Sequence, residues 1–138
     1  MNQFIRILLV DGFAPFRDFL RTLLEKMPAI AVVGEASDGV EALQKTRELN
    51  PDLILLDIAL QELNGAEVAR RIKALSANST ILMVTGIYSW EMMTNAFLSG
   101  ADGYLVKCDA AAELGSALES VLDGTRFISS TAVRYILD

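Results

Sequence analysis

Apolar runs that each end at a polar residue recur along the chain and predict the strands of a parallel sheet. Leu53-Ile54-Leu55-Leu56 stops at Asp57, and similar runs stop at Asp11, Thr85 and Lys107. Runs that are apolar on both faces are typical of strands buried between two layers of helices. Segments with apolar residues at helical spacing separate these runs. The alternation therefore predicts an α/β domain built from five strand–helix units.

Helical and strand periodicity place ten elements. The strands are predicted at Ile5–Val10, Ile30–Ala36, Leu53–Asp57, Thr80–Thr85 and Gly103–Lys107. The helices are predicted at Pro15–Lys26, Gly39–Leu49, Gly65–Leu75, Ser89–Leu98 and Ala111–Asp123. Right-handed crossovers with helices on both faces give a doubly wound five-stranded sheet, for which we choose the strand order 2-1-3-4-5. This order makes Asp11 and Asp57 neighbours.

The composition favours one globular domain in a reducing compartment. The chain has 138 residues, of which 52% are hydrophobic, and this length can bury a core without cross-links. Its net charge of -6 lacks a basic footprint, so we expect no direct nucleic acid binding by this segment. The single cysteine, Cys108, allows no internal disulfide, and no run is long enough to span a membrane. We therefore expect a cytoplasmic location and no membrane partner.

The residues at the strand ends suit the transfer of a phosphoryl group to a carboxylate. In open α/β sheets, ligands bind outside the carboxyl ends of the strands, so two acids, a hydroxyl and an amine face one crevice. A carboxylate can accept a phosphoryl group as a nucleophile, provided that positive charge faces the phosphoryl oxygens. The chain contains no histidine, so a phosphoryl-donating histidine has to belong to another protein.

In these residues the sequence resembles the receiver domain of two-component response regulators. The resemblance runs from Ile5 to about Phe127 and implies a flavodoxin-like receiver fold over residues 1–127, followed by a C-terminal tail at 128–138 with helical potential. It rests on Leu9-Val10-Asp11, on Asp52 through Asp57, on Met83-Val84-Thr85-Gly86 and on Gly103-Tyr104-Leu105-Val106-Lys107. The stretches Gly34–Gly39 and Phe127-Ile128-Ser129 further resemble receivers that precede LuxR-type DNA-binding domains. We expect no such output domain in the tail.

The resemblance implies a role for four side chains. Asp57 matches the phosphoacceptor, Lys107 the phosphate-pairing lysine, and Thr85 and Tyr104 the switch residues that move on activation. The implied partner is a sensor histidine kinase or a phosphotransfer protein. In this family, the surface of the fourth helix, fifth strand and fifth helix mediates output or homodimerisation. The chain is therefore expected to signal and not to be an enzyme, apart from self-catalysed phosphorylation and dephosphorylation of Asp57.

Gly12 is the main departure from the family pattern, which usually has two adjacent acids after the first strand. The resemblance implies Mg²⁺ held by Asp11, Asp57 and the backbone carbonyl of Ala59, and Gly12 stands where a direct ligand is usual. A missing carboxylate removes a gross attraction of about 4 kcal/mol per unit charge pair at ~4 Å and an effective dielectric constant of 20. Lower dehydration and lower carboxylate repulsion offset part of this loss. We therefore predict weak Mg²⁺ binding.

The same residues raise three alternatives to a phosphorylated receiver. Gly12 motivates a pseudo-receiver, which is a protein interaction module that works without phosphorylation. A phosphatase of the haloacid dehalogenase type also uses an aspartyl nucleophile after a strand, but it requires a second acid where this chain has Ala59. Nucleotide binding is disfavoured because neither G-x-G-x-x-G nor a Gly-Lys-Ser/Thr loop is present.

Overall fold

A parallel sheet of six strands forms the centre of the molecule in the computed structural model, which describes residues 4–61, 63–76 and 78–137. The strands are β1 (Ile5–Val10), β2 (Ile30–Ala36), β3 (Leu53–Leu56), β4 (Thr80–Thr85), β5 (Gly103–Val106) and β6 (Phe127–Ile128). The helices are α1 (Ala14–Glu25), α2 (Gly39–Leu49), α3 (Gly65–Leu75), α4 (Trp90–Leu98), α5 (Ala110–Leu122) and α6 (Ser130–Ala132). A 3₁₀ turn at Lys107–Asp109 precedes α5, and a π-helical turn at Val133–Leu137 follows α6.

The four central strands are apolar on both faces because helices cover both faces of the sheet. Successive side chains of a strand point to opposite faces, so each strand contributes to two separate cores. Leu8, Ile54 and Met83 pack with residues of α2, α3 and α4, whereas Leu55 and Leu82 pack with residues of α1 and α5. Burial of each such side chain contributes about 1.5–3 kcal/mol to stability. Within the described ranges, no helix has both the length and the hydropathy needed to cross a membrane.

Polar side chains fix the starts of three helices near the carboxyl ends of the strands. Asp38, Asn64 and Ser89 precede α2, α3 and α4, and each accepts a hydrogen bond from the backbone N–H three residues further on. Helix α1 has no such cap but carries a proline in its first turn, where the missing N–H is harmless. The helix starts thereby surround the edge of the sheet at which the polar strand-end residues lie.

Gly65 allows α3 to begin directly against the end of β3. A Cβ atom on this residue would stand 2.5 Å from the carbonyl oxygen of Asp57 and 2.6 Å from the Cα atom of Ile58. Since both contacts are to backbone atoms, no side-chain movement would relieve them. Only glycine permits this close approach, and the segment after Asp57 is held in place by it.

The predicted count of five strands is wrong, because β6 adds a sixth strand beside β5. The order of the strands is β2-β1-β3-β4-β5-β6, so the predicted order holds for the first five. Strand β6 has two residues and pairs in parallel with the start of β5. Two residues are too few to show a hydrophobic period, which is why the sequence pattern does not reveal this strand. The predicted domain boundary at residue 127 falls inside β6, and the division of the chain at this point stays a prediction.

The segment that follows β6 packs against β5 and the 3₁₀ turn before α5. The Ser129 hydroxyl accepts the backbone N–H of Val106 at 3.0 Å. Thr131 donates its N–H and its hydroxyl to the Asp109 carboxylate at 2.9 and 2.7 Å. These contacts hold the C-terminal segment, residues 129–136, on the body of the domain.

Candidate functional site

A cleft at the carboxyl ends of β1, β3 and β5 brings two acids and one amine together. Asp11 follows β1, Asp57 follows β3, and Lys107 follows β5. The Lys107 ammonium nitrogen lies 2.7 Å from an Asp11 carboxylate oxygen and 3.3 Å from an Asp57 carboxylate oxygen. Asp11 is 3% exposed and Asp57 is 6% exposed, so neither carboxylate is well hydrated. One cation therefore bridges two nearly buried anions.

The cleft is polar and open to solvent, with a volume of about 470 Å³. Its lining residues are Asp11, Gly12, Phe13, Ser37, Asp38, Asp57, Ala59, Gln61 and Lys107. Gly12 lies close to the Ser37 backbone, since a Cβ atom on it would stand 3.3 Å from the carbonyl oxygen of Ser37. The cleft has room for a group of the size of a phosphoryl.

Burial and nearby charges set the protonation of Asp57 and Lys107. Burial raises the pKa of Asp57, and the Asp11 charge acts in the same direction, whereas the Ala59 N–H and Lys107 oppose the rise. Burial alone would lower the pKa of Lys107, but the hydrogen bond from its ammonium to Asp11 and the charge of Asp57 outweigh burial and raise it. The lysine is therefore held as an ammonium ion between the carboxylates.

Thr85 and Tyr104 do not line the cleft; both instead bond to Ile87 in the loop between β4 and α4. The Thr85 hydroxyl oxygen accepts the Ile87 N–H at 3.1 Å, and the Tyr104 hydroxyl donates to the Ile87 carbonyl oxygen at 2.6 Å. Both residues are fully buried, and burial raises the pKa of Tyr104 to about 12. The loop backbone at Ile87 is thus the point at which the two residues meet.

The oxygen atoms of the cleft suit a magnesium ion. Mg²⁺ is usually held by one or two carboxylates together with waters and phosphate oxygens. Asp11 and Asp57 supply two carboxylates, and Ala59 lies beside them in the cleft lining. Among residues 4–61, 63–76 and 78–137, no three acidic, cysteine or histidine side chains converge to form a fuller metal site. The donor set fits Mg²⁺ with few protein ligands.

Sequence reasoning missed two side chains next to the cleft, Phe16 and Arg17. The Lys107 ammonium lies 4.5 Å from the centre of the Phe16 ring, which the pattern had assigned only to the core. Arg17 donates to the backbone carbonyl of Asp11 and to the Glu35 carboxylate. Partners on three separate elements leave no period in the sequence, so only the fold reveals these contacts.

One protein family model matches most of this chain. The model of the response regulator receiver domain matches residues 7–119, a range that includes Asp11, Asp57 and Lys107.

Curated proteins with similar sequences point the same way. The transcriptional regulatory protein LiaR of Bacillus subtilis is 32% identical over 133 residues, which are 96% of this chain and 63% of LiaR. The response regulator UvrY of Escherichia coli K12 is 36% identical over 126 residues, which are 91% of this chain and 58% of UvrY. This chain thus spans about three fifths of the length of these relatives.

Solved structures share the fold over nearly the whole chain. A LuxR-family two-component response regulator from Aurantimonas superposes with a TM-score of 0.92 at 36% identity, over 98% of this chain and 96% of that one. The receiver domain of the putative response regulator NarL from Mycobacterium tuberculosis gives a TM-score of 0.83 at 27% identity, over 88% and 98% of the two chains.

Proposed function

We propose that this chain, which belongs to the response regulator receiver family, accepts a phosphoryl group on Asp57 from a phosphohistidine of a partner protein. The observation that carries the proposal is the ion-pair geometry, in which the Lys107 ammonium lies 3.3 Å from Asp57 and 2.7 Å from Asp11. A cation at this point faces the oxygens that a phosphoryl group on Asp57 would bring. The donor is a sensor histidine kinase or a phosphotransfer protein, because the chain has no histidine of its own.

The transfer is a displacement at phosphorus. An Asp57 carboxylate oxygen attacks the phosphorus atom in line with the phosphorus–nitrogen bond of the donor. That bond breaks, its electron pair returns to the imidazole ring, and a mixed carboxylic–phosphoric anhydride forms. The Ala59 N–H bonds one Asp57 oxygen at 3.2 Å and Lys107 contacts the other, so these groups orient the carboxylate. Mg²⁺, when bound at Asp11, Asp57 and the Ala59 carbonyl, supplies further positive charge against the phosphoryl oxygens.

The switch acts through Ile87. The Thr85 hydroxyl uses its oxygen to accept the Ile87 N–H, so its own hydrogen is available for donation to a phosphoryl oxygen. Movement of Thr85 toward that oxygen pulls on the loop that Tyr104 also holds. The local charge change is thereby passed to α4 and β5.

The surface of α4, β5 and α5 is the output face of the proposed switch, through a partner or a second copy of the chain. Part of this face lies under the C-terminal segment defined above, because the Tyr135 ring is 6.0 Å from the Tyr88 ring and Ala132 is fully buried. A homodimer through this face therefore has to accommodate or displace that segment.

Phosphorylation by a small donor tests the proposed reaction. The full chain is incubated with phosphoramidate and Mg²⁺, and its intact mass is measured over time beside the Asp57→Asn variant. We expect a gain of one phosphoryl group in the wild-type chain and none in the variant. A gain of the same size in Asp57→Asn would contradict the proposal.

A pseudo-receiver is the second candidate, and one observation favours it. Lys107 already contacts both carboxylates, and Gly12 offers no side chain to attract a metal ion. A pseudo-receiver keeps one conformation whatever the state of Asp57. If Mg²⁺ with beryllofluoride leaves the amide spectrum unchanged, this second candidate is correct; shifts at Thr85, Ile87 and Lys107 support phosphorylation.

A further inference from the structure

We propose that Arg17 is a positioning residue for the cleft, because it fixes the turn at Asp11–Phe13 that carries the Asp11 carboxylate. The inference rests on the proposed function of the cleft as a phosphoryl and Mg²⁺ site. Arg17 touches none of the reacting atoms and acts only through the backbone of Asp11.

The contacts of Arg17 join three elements. One guanidinium nitrogen donates to the carbonyl oxygen of Asp11 at 2.5 Å, just after β1. The Nε–H donates to the Glu35 carboxylate on β2 at 2.8 Å. The Arg17 backbone N–H itself bonds the Phe13 carbonyl oxygen at 3.2 Å, at the start of α1. A side chain that is only 17% exposed thus ties the turn to β2 and to the start of α1.

The turn requires such an anchor because Gly12 lies in its middle. Glycine has the widest range of backbone conformations, and here it supplies no side chain that packs against the cleft. The other anchors of the turn are the Asp11 N–H, which donates to the Ala36 carbonyl at 3.0 Å, and the Phe13 N–H, which donates to the Asp11 carboxylate at 2.8 Å. Arg17 holds the remaining peptide group, the one between Asp11 and Gly12.

The position of this peptide group decides where the Asp11 carboxylate points. One oxygen of the Asp11 carboxylate accepts the Phe13 N–H, and the other lies 2.7 Å from the Lys107 ammonium. A shift of the turn therefore changes both the ion pair and the set of metal donors. Residues that orient a metal ligand without binding the metal typically matter for affinity. Their loss weakens metal binding by about tenfold to a hundredfold.

Arg21 provides a matched control on the same helix. It lies one turn after Arg17 and pairs with the other oxygen of the same Glu35 carboxylate, but its side chain is 37% exposed and makes no contact with Asp11. Arg17→Met and Arg21→Met each remove one guanidinium from Glu35, whereas only the first frees the Asp11 carbonyl.

The experiment measures hydrogen exchange of the Phe13 amide without metal, Mg²⁺ affinity by amide titration, and unfolding in urea, on the full chain and both variants. We expect Arg17→Met to speed Phe13 exchange by about tenfold and to weaken Mg²⁺ binding by about tenfold. Arg21→Met is expected to leave the Phe13 exchange rate and the Mg²⁺ affinity within about twofold of wild type, while it lowers the urea midpoint of unfolding. Should Arg17→Met not fold, Arg17→Gln carries the same expectation.

Equal effects of the Arg17 and Arg21 variants on Phe13 exchange would overturn the proposal, since Arg17 would then be only structural. Failure of the proposed function gives a different pattern. In that case the wild-type chain binds no Mg²⁺ and takes no phosphoryl group, while the exchange comparison still decides the role of Arg17.

Discussion

At the residue scale, the distinctive feature of the cleft is one lysine shared by two carboxylates. Lys107 contacts Asp11 and Asp57 at once, and both carboxylates are nearly buried. Desolvation penalises each anion, and a single cation offsets only part of that penalty. The site is therefore poised to gain stability from any added positive charge or from the loss of one negative charge.

The Asp57→Asn substitution tests this balance through folding stability. Because burial raises the pKa of Asp57, the charged carboxylate is less favourable in the folded chain than in the unfolded chain. We expect Asp57→Asn to increase the free energy of unfolding at pH 7, as measured by urea denaturation. The gain should shrink as the pH falls through the raised pKa and vanish below the ordinary value of 3.8, where Asp57 is neutral in both states.

The control is Asp18→Asn, which removes the same charge from an exposed position of α1. It should change stability little at any pH. A destabilised Asp57→Asn variant at pH 7 would show that the ion pair with Lys107 outweighs the desolvation of Asp57.

The Gly12→Asp substitution tests the predicted weakness of Mg²⁺ binding. Another carboxylate adds a gross attraction of about 4 kcal/mol per unit charge pair at ~4 Å and an effective dielectric constant of 20, most of which dehydration and repulsion offset. We expect a net gain of about 1.4 kcal/mol, which is about tenfold in affinity, by calorimetric titration with Mg²⁺. Gly12→Asn is the control, since it has the same shape without the charge. Tighter binding in both variants alike would assign the effect to backbone restriction.

The hydrophobic pattern predicts that Asp11, Asp57 and Lys107 meet in the cleft, but it also places the Thr85 hydroxyl there, and Thr85 does not line the cleft. Asp11, Asp57 and Lys107 each end a buried strand, and the parallel sheet alone makes them converge. The hydrogen bonds of Thr85 to the Ile87 backbone and the pairing of Lys107 with Asp11 depend on side-chain conformations that no period encodes.

At the scale of elements, the last part of the chain is the least predictable from the sequence. Strand β6 is too short for a periodic signal and exists because β5 offers it a free edge. The five longer strands and five main helices follow from hydrophobic patterns in the sequence that extend over four or more residues. The position of the C-terminal segment depends instead on single hydrogen bonds at Ser129 and Thr131.

Ser129→Ala tests how firmly this segment is held. The hydroxyl of Ser129 is fully buried and accepts the N–H of Val106. Its removal leaves a buried donor without a partner, so we expect a loss of about 1–3 kcal/mol in the free energy of unfolding. The exposed neighbour Ser130 is the control, and Ser130→Ala should stay within about 0.5 kcal/mol. Equal, small losses in both variants would mean that water replaces the hydroxyl.

At the scale of the whole molecule, the parallel sheet brings residues that are far apart in sequence close together in space. Lys107 and Asp57 are 50 residues apart in sequence, and parallel pairing of β3, β4 and β5 brings their charged groups to 3.3 Å. Local sequence sets the elements, while the handedness of the crossovers sets which strand ends meet. The polar residues that follow the strands thereby meet at one edge of the sheet, where loops carry the binding groups.

Asp57 itself is the residue that we propose to carry the transferred phosphoryl group. After reaction with phosphoramidate and Mg²⁺, borohydride reduction converts an aspartyl phosphate to homoserine, and peptide mass spectrometry locates the altered residue. Our account predicts homoserine at position 57 and at no other aspartate. An unchanged Asp57 in a chain that has gained a phosphoryl group, or homoserine at another position, would contradict it.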